Sequence, residues 1–245
     1  LSICCIVLLV LLSLLIFDLS GMDAFNIFAV WLAAFSISFT FLPILQVLDW
    51  KKRGTADGFS SVNFVLPMLM TSCWLRHGYM TDDYNNKVIN TINLAAFSMY
   101  ILCFAYYQPV RKYLYIQLLG LFTALYATFA YVDSVDSSSA ADTMGGIAAA
   151  MQIVSLAGGV YEIKRAISMG TTEYIPASMQ FAIFLITSQW ALFGYLANNP
   201  YIMVANLAGL VVNIATLALY FVYPPITWRV PIFGTQQTPK KKKTN

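Results

Sequence analysis

Seven stretches of about twenty residues each carry almost no charge, and short polar turns separate them. They run Phe25–Leu48, Phe59–Met80, Val88–Tyr107, Tyr113–Val132, Met144–Ile163, Ile175–Leu196 and Tyr201–Tyr223. A bilayer core about 30 Å thick takes about 20 helical residues to cross. A backbone in lipid must also hydrogen-bond within itself. The runs are therefore expected as helices, spans one to seven, of an all-α integral membrane protein. Composition agrees, since 59% of the 245 residues are hydrophobic and only 10% are charged. A soluble domain carries about 25% charged residues, so a water-soluble enzyme is excluded.

The basic residues give the expected orientation. Lys51, Lys52 and Arg53 follow span one, Arg111 and Lys112 precede span four, and Lys164 and Arg165 follow span five. Arg229 and Lys240, Lys241, Lys242 and Lys243 follow span seven, so twelve of the fourteen basic residues share one side. The other side holds Arg76 and Lys87 with Asp18, Asp23, Asp82, Asp83, Asp133, Asp136 and Asp142. The positive-inside rule assigns the basic side to the cytoplasm. Span one then starts outside and the chain ends inside, which an odd number of spans satisfies. The plasma membrane is the expected location. Residues 1–21 read as an apolar extension or signal-like segment, with Met22 as a natural start, and residues 224–245 as a cytoplasmic polybasic tail.

A repeat runs through the chain. Span two contains Cys73-Trp74-Leu75-Arg76-His77-Gly78 and span six Gln189-Trp190-Ala191-Leu192-Phe193-Gly194. The next span in each case carries Asn-Leu-Ala, from Asn93 and from Asn206. Spans one to three (25–107) thus form one unit and spans five to seven (144–223) its copy. Span four (113–132) links them and restores the orientation, which gives two parallel repeats in a 3+1+3 order. Transporters are built from such repeats.

Counted from these span ends, Trp74, Asn93, Trp190 and Asn206 form one layer roughly 8–9 Å below the outer rim. An amide in hydrocarbon either joins helices or lines a wet cavity. A tryptophan there is a belt residue or a flat apolar wall with a donor edge. Sugars offer hydroxyls around the ring and C–H patches on its faces, which this set suits. Pro43, in span one, and Gly159, in span five, hold matching places near the basic ends and read as hinges, with Pro176 opening span six. The middle of every span lacks Asp and Glu, and this favours passive transport over proton coupling. Cys4, Cys5, Cys73 and Cys103 lie in apolar runs and read as buried hydrophobes.

These residues resemble the SWEET sugar transporters over about Phe25 to Tyr223. The most specific signals are Gly58-Phe59-Ser60-Ser61-Val62 and the surroundings of Gly194 and Asn206. The resemblance implies seven helices in two three-helix repeats around a linker helix. It maps the family's four hinge prolines onto Pro43, Asn63, Gly159 and Pro176, so two of the four are replaced here. It maps the sugar pocket onto Trp74, Asn93, Trp190 and Asn206, and an outer gate onto His77 and Asn199. It further implies downhill movement of a mono- or disaccharide, without cofactor or coupled ion, and assembly as a homo-oligomer in the lipid bilayer. Two bulky tryptophans suggest a hexose such as glucose over sucrose. No catalytic residue, metal or nucleic-acid partner is expected. The rival readings are a proton-coupled PQ-loop carrier of amino acids and a seven-helix receptor.

Overall fold

The computed structural model describes residues 23–57 and 59–237, and these are helical with no strand among them. The expected N-terminal extension, Gly58 and the lysines at 240–243 lie outside the described residues. The helices are α1 (Ala24–Thr40), α2 (Ile44–Arg53), α3 (Val62–Met80), α4 (Tyr84–Tyr107), α5 (Lys112–Ser134), α6 (Ser137–Ser155), α7 (Ala157–Met169), α8 (Ala177–Leu196) and α9 (Pro200–Val222). Among the described residues, six segments are long and apolar enough to cross a membrane, with α1–α2 and α6–α7 each counted as one. The 19-residue α3 is not one of the six; Asn63, Arg76 and His77 dilute its apolar sequence.

The two broken segments have local causes. Pro43 has no N–H to give the Phe39 carbonyl, so the chain tightens into three-residue steps. Leu42 donates to Phe39 O at 3.1 Å, Ile44 to Phe41 O at 3.1 Å and Gln46 to Pro43 O at 3.0 Å. At the second break, the Ser155 hydroxyl donates to the Gln152 carbonyl at 2.6 Å. The Leu156 N–H goes to Ile153 O at 3.0 Å. Both continuations end on a left-handed glycine, Gly54 at φ 71° and Gly170 at φ 64°. Glycine adopts that conformation without Cβ strain.

The chain divides into two compact units, up to Ala148 and from Ala149. In the first, α4 packs against α1, α2 and α3, and α5 lies on α3. Trp50 is fully buried, edge-on to Phe59, Phe64 and Phe104 at 5.5–5.8 Å between centroids. This aromatic cluster closes the basic end of the unit. The outer face of α5 leaves Tyr115, Leu119, Phe122 and Tyr126 exposed, an apolar stripe suited to lipid.

In the second unit α9 packs against α8 and α7. Beyond α9, residues 224–237 fold back on the unit. Tyr223 O accepts Thr172 N at 2.8 Å and the Thr172 hydroxyl at 2.9 Å. The Glu173 carboxylate accepts Ile226 N at 2.5 Å, Thr227 N at 3.1 Å and the Thr227 hydroxyl. Phe233 packs on Phe181 and Phe221, at 5.1 and 4.5 Å between centroids.

One turn occurs in both units. Asp82 and Asn198 adopt the left-handed conformation at φ 53° and 51°, which Asp and Asn tolerate better than most residues. Asp83 N donates to Gly78 O at 3.0 Å, and Asn199 N to Gly194 O at 2.8 Å. The next side chains cap α4 and α9: Asp83 accepts Asn86 N at 3.0 Å, Asn199 accepts Ile202 N at 3.2 Å. Each of these positions lies 116 residues from its counterpart, as 78 does from 194 and 83 from 199. The glycines let the paired helices approach closely. A Cβ on Gly194 would stand 2.5 Å from Met203 N, and one on Gly78 3.1 Å from the Asn86 Cβ.

Gly194→Ala is expected to push a backbone rather than a side chain and to cost roughly 1–3 kcal/mol. Gly78→Ala should cost less. Melting of the detergent-purified variants checks the order.

The Thr227 hydroxyl, followed by the two backbone donors, holds the Glu173 carboxyl below its ordinary value of 4.5. A lowered carboxyl adds stability above that ordinary value and loses it as pH falls through the lowered one. Hydrogen-exchange protection at Ile226 and Thr227 should therefore persist above pH 4.5 and fall on acidification below it. Glu173→Gln should flatten that profile.

Candidate functional site

The helix period places Asn86, Asn90, Asn93, Phe97, Tyr100 and Phe104 on one stripe of α4. Three carboxamides occupy the first ten residues and three aromatics follow. Asn90 Nδ2 donates to Asn86 O at 2.9 Å and to Asn86 Oδ1 at 2.5 Å. Among the described residues, the side-chain nitrogen Asn86 Nδ2 is buried without a hydrogen-bond partner. Asn93 Oδ1 accepts the Thr40 hydroxyl, which ties α4 to the end of α1 beside the Pro43 break. The Tyr100 hydroxyl donates to Thr40 O at 2.9 Å.

The matching stripe of α9 is Ile202, Asn206, Gly209, Asn213, Thr216 and Tyr220, all buried. Asn206 Nδ2 donates to Ile202 O at 2.8 Å, and its Oδ1 accepts Gln152 Nε2 at 3.3 Å from α6. Asn213 donates to Gln180 O at 3.1 Å and to Gln180 Oε1 at 2.8 Å. Polar groups thus reach further along α9 than along α4.

The tryptophans are strictly equivalent. Trp74 and Trp190 each lie six residues before the end of their helix, at Met80 and Leu196. Trp74 stacks edge-on against His77 at 5.8 Å, and Trp190 against Phe193 at 5.4 Å. The asparagines are not equivalent, and here the expected single layer is corrected. Asn206 is the seventh residue of α9, whereas Asn93 is the tenth of α4; the seventh is Asn90. The difference is three residues, about 4.5 Å of rise. Asn90 and Asn206 also make the same bond, to the carbonyl four residues earlier.

The hinge candidates occupy different settings. Pro43 caps α2 at the first break, and Gly159 lies three residues past Leu156 in α7. A Cβ on Gly159 would stand 3.0 Å from Val212 Cγ1, so this glycine also serves close packing. Pro176 caps α8 in extended conformation. It borders a cavity of about 380 Å³ with Tyr174, Ser178, Trp228 and Pro231. Asn63 is exposed in the first turn of α3, and the proline of that helix stands one turn later, at Pro67. Pro67 gives no N–H to Asn63 O, so the helix is weakened at this step. Sequence reasoning passed over Pro67, although a proline inside an apolar run is itself the signal.

Of the gate candidates, His77 is 2% exposed and its Nδ1 lies 3.2 Å from Ala141 O. Asn199 is the α9 cap already described. Arg76 pairs with Asp133 and lies 4.5 Å over the Phe129 ring, which joins α3 to the end of α5.

A family model described as a sugar efflux transporter for intercellular exchange matches residues 26–112 and 142–227. The sugar transporter SWEET1 of Caenorhabditis elegans is 25% identical over 189 residues, 77% of this chain and 62% of that protein. The chain therefore spans less than two thirds of the worm relative's length. Human SWEET1 is 26% identical over 183 residues, 72% of this chain and 82% of its own. The bidirectional sugar transporter SWEET1 of Arabidopsis thaliana is 23% identical over 210 residues, 82% of this chain and 83% of its own. A solved eukaryotic SWEET transporter shares the fold at a TM-score of 0.68, with 21% identity, covering 82% of this chain and 99% of that one.

Thr40→Val should leave Asn93 Oδ1 without its partner and lower stability by about 0.5–1.5 kcal/mol. Thr40→Ser should restore most of it. Thermal unfolding in one detergent compares the two.

Proposed function

Because the chain belongs to the SWEET family of sugar transporters, we propose that it is a bidirectional facilitative sugar carrier, a uniporter for hexoses such as glucose. It works by alternating access, with two parallel three-helix repeats, α1–α4 and α6–α9, around α5 as linker. Its basic ends face the cytoplasm and its membrane is the plasma membrane, where copies associate as a homo-oligomer. Trp74 and Trp190 offer flat faces to the sugar, and Asn93 and Asn206 bond its hydroxyls.

The observation that carries this reading is the repeated tryptophan register. Each unit presents Trp six residues from its helix end, braced by a ring three residues on. Asn93 adds an open donor: its oxygen takes Thr40, while its amide nitrogen makes no hydrogen bond among the described residues. A sugar hydroxyl is a fitting acceptor for it. Downhill transport is consistent with the lack of a carboxylate in the middle of any span. Pro43, Pro67, Gly159 and Pro176 mark where the helices bend as the sites open by turns, with His77 and Asn199 as outer-gate residues. The sequence reading placed Asn63 in this set; the proline one turn on makes that stretch weak.

Radiolabelled glucose uptake into proteoliposomes tests the proposal. Uptake should saturate, run in both directions and be indifferent to a proton gradient. Asn93→Ala and Asn206→Ala should each abolish it with folded protein retained. Trp74→Ala should widen the range to larger sugars. Uptake that follows the pH gradient would return the proton-coupled reading. Normal flux in either Asn variant would remove the pocket assignment.

A further inference from the structure

A dense polar cluster lies at the other end of the second unit from Asn206. Along α9 the distance from Asn206 to Tyr223 is seventeen residues, about 25 Å of helix. Here the loop between α7 and α8 meets the segment that follows α9. The loop is fastened at several successive points. Gly170 O accepts Gln237 Nε2 at 2.7 Å. Thr171 donates through its hydroxyl to Pro224 O at 3.3 Å, and Thr172 N donates to Tyr223 O at 2.8 Å. Glu173 O accepts Trp228 Nε1 at 3.1 Å. Ile175 O accepts the Tyr220 hydroxyl at 2.8 Å. The next residue is Pro176, the cap of α8.

Glu173 is the centre of this arrangement. One carboxylate oxygen takes two successive backbone donors, Ile226 N and Thr227 N, and the other takes the Thr227 hydroxyl. Consecutive N–H groups that converge on one point suit an anion. The segment is held from its other side as well: the Thr235 hydroxyl donates to Tyr220 O at 2.7 Å, and Val230 N to Thr235 O at 2.9 Å. The first unit makes the matching backbone bond, Ala56 N to Tyr107 O at 3.0 Å, but its chain then continues differently. From Tyr107 its chain enters α5 at Lys112, so no free segment is available to fold back there.

We propose that Glu173 is a positioning residue for transport: it binds the segment 224–237 to the loop before α8, so that the Pro176 end of α8 and the end of α9 move as one piece. This rests on the sugar-carrier reading and adds a residue outside the sugar pocket. A hinge at Pro176 transmits motion only if the helix end beyond it is held; the clamp supplies that hold. Its loss leaves sugar binding in place and slows the conformational step.

The test separates turnover from binding. Glu173→Ala is reconstituted, its sugar Kd is measured by equilibrium binding, and glucose flux is expressed per sugar-binding molecule. Flux per binding molecule should fall about fivefold or more, with Kd within about twofold of wild type. Glu173→Gln keeps one oxygen for the two backbone donors and should recover part of the rate. Thr227→Val should slow flux as Glu173→Ala does, and Thr227→Ser should restore it. If Glu173→Ala does not fold, the Thr227 pair decides on the same criteria. Unchanged flux per binding molecule would overturn the proposal, and so would a Kd weakened about tenfold, which would put Glu173 in the binding site itself. A wild-type protein that binds no sugar and carries no flux would overturn the carrier reading, a result distinct from either.

Discussion

Inside a bilayer, a backbone carbonyl that loses its helical donor finds no water to replace it. This constraint governs how the chain is allowed to depart from straight helices. At Pro43 the surrounding residues shift to three-residue hydrogen bonds, and at Ser155 a hydroxyl takes the Gln152 carbonyl. Pro67 removes a donor without ending α3. The departures at Pro43 and Ser155 are local and repaired within about one turn. A break repaired in this way leaves no long stretch of unpaired backbone facing lipid.

Against that background the glycine contacts set the geometry of the site. Gly78 and Gly194 bring two helix pairs close, and the turn that follows each is the same in dihedral angle, hydrogen bond and cap. Four residues before each glycine stands a tryptophan, so its height in the unit follows from the crossing. The asparagines lie past the turn on the partner helix, where the same backbone carries different side chains. The tryptophans therefore correspond position by position, and among the amides Asn206 corresponds to Asn90 while the counterpart of Asn93 is a glycine, Gly209.

The hydrophobic runs made the helices legible, because burial in lipid demands length and low polarity and little else. Span ends were less legible. Span three was expected from Val88, but the Asp83-capped helix begins four residues earlier, at Tyr84, while span seven was expected from Tyr201 and begins at Pro200. The unequal errors, four residues against one, made Asn93 and Asn206 look level when they differ by three. An Asp cap before polar residues looks like loop in a hydropathy profile, although Asp83 followed by Asn86 carried the capping signal. Pro67 interrupts the hydrogen-bond ladder of an apolar run without breaking the hydropathy pattern, so the resemblance, which pointed to Asn63, did not mark it. The folding of residues 224–237 was not legible, since Glu173 meets Thr227 across more than fifty residues with no periodic pattern to announce it.

The two amide stripes have a consequence for how such a molecule can change over time. Replacing one side chain on α4 or α9 alters a single rung, whereas altering the crossing at Gly194 forces two backbones apart. Selection can therefore edit either stripe one residue at a time while the scaffold stays fixed. Asn86, Asn90 and Asn93 in one copy, against Asn206, Asn213 and Thr216 in the other, record that freedom. A doubled framework of this kind lets each copy acquire its own polar pattern at each depth.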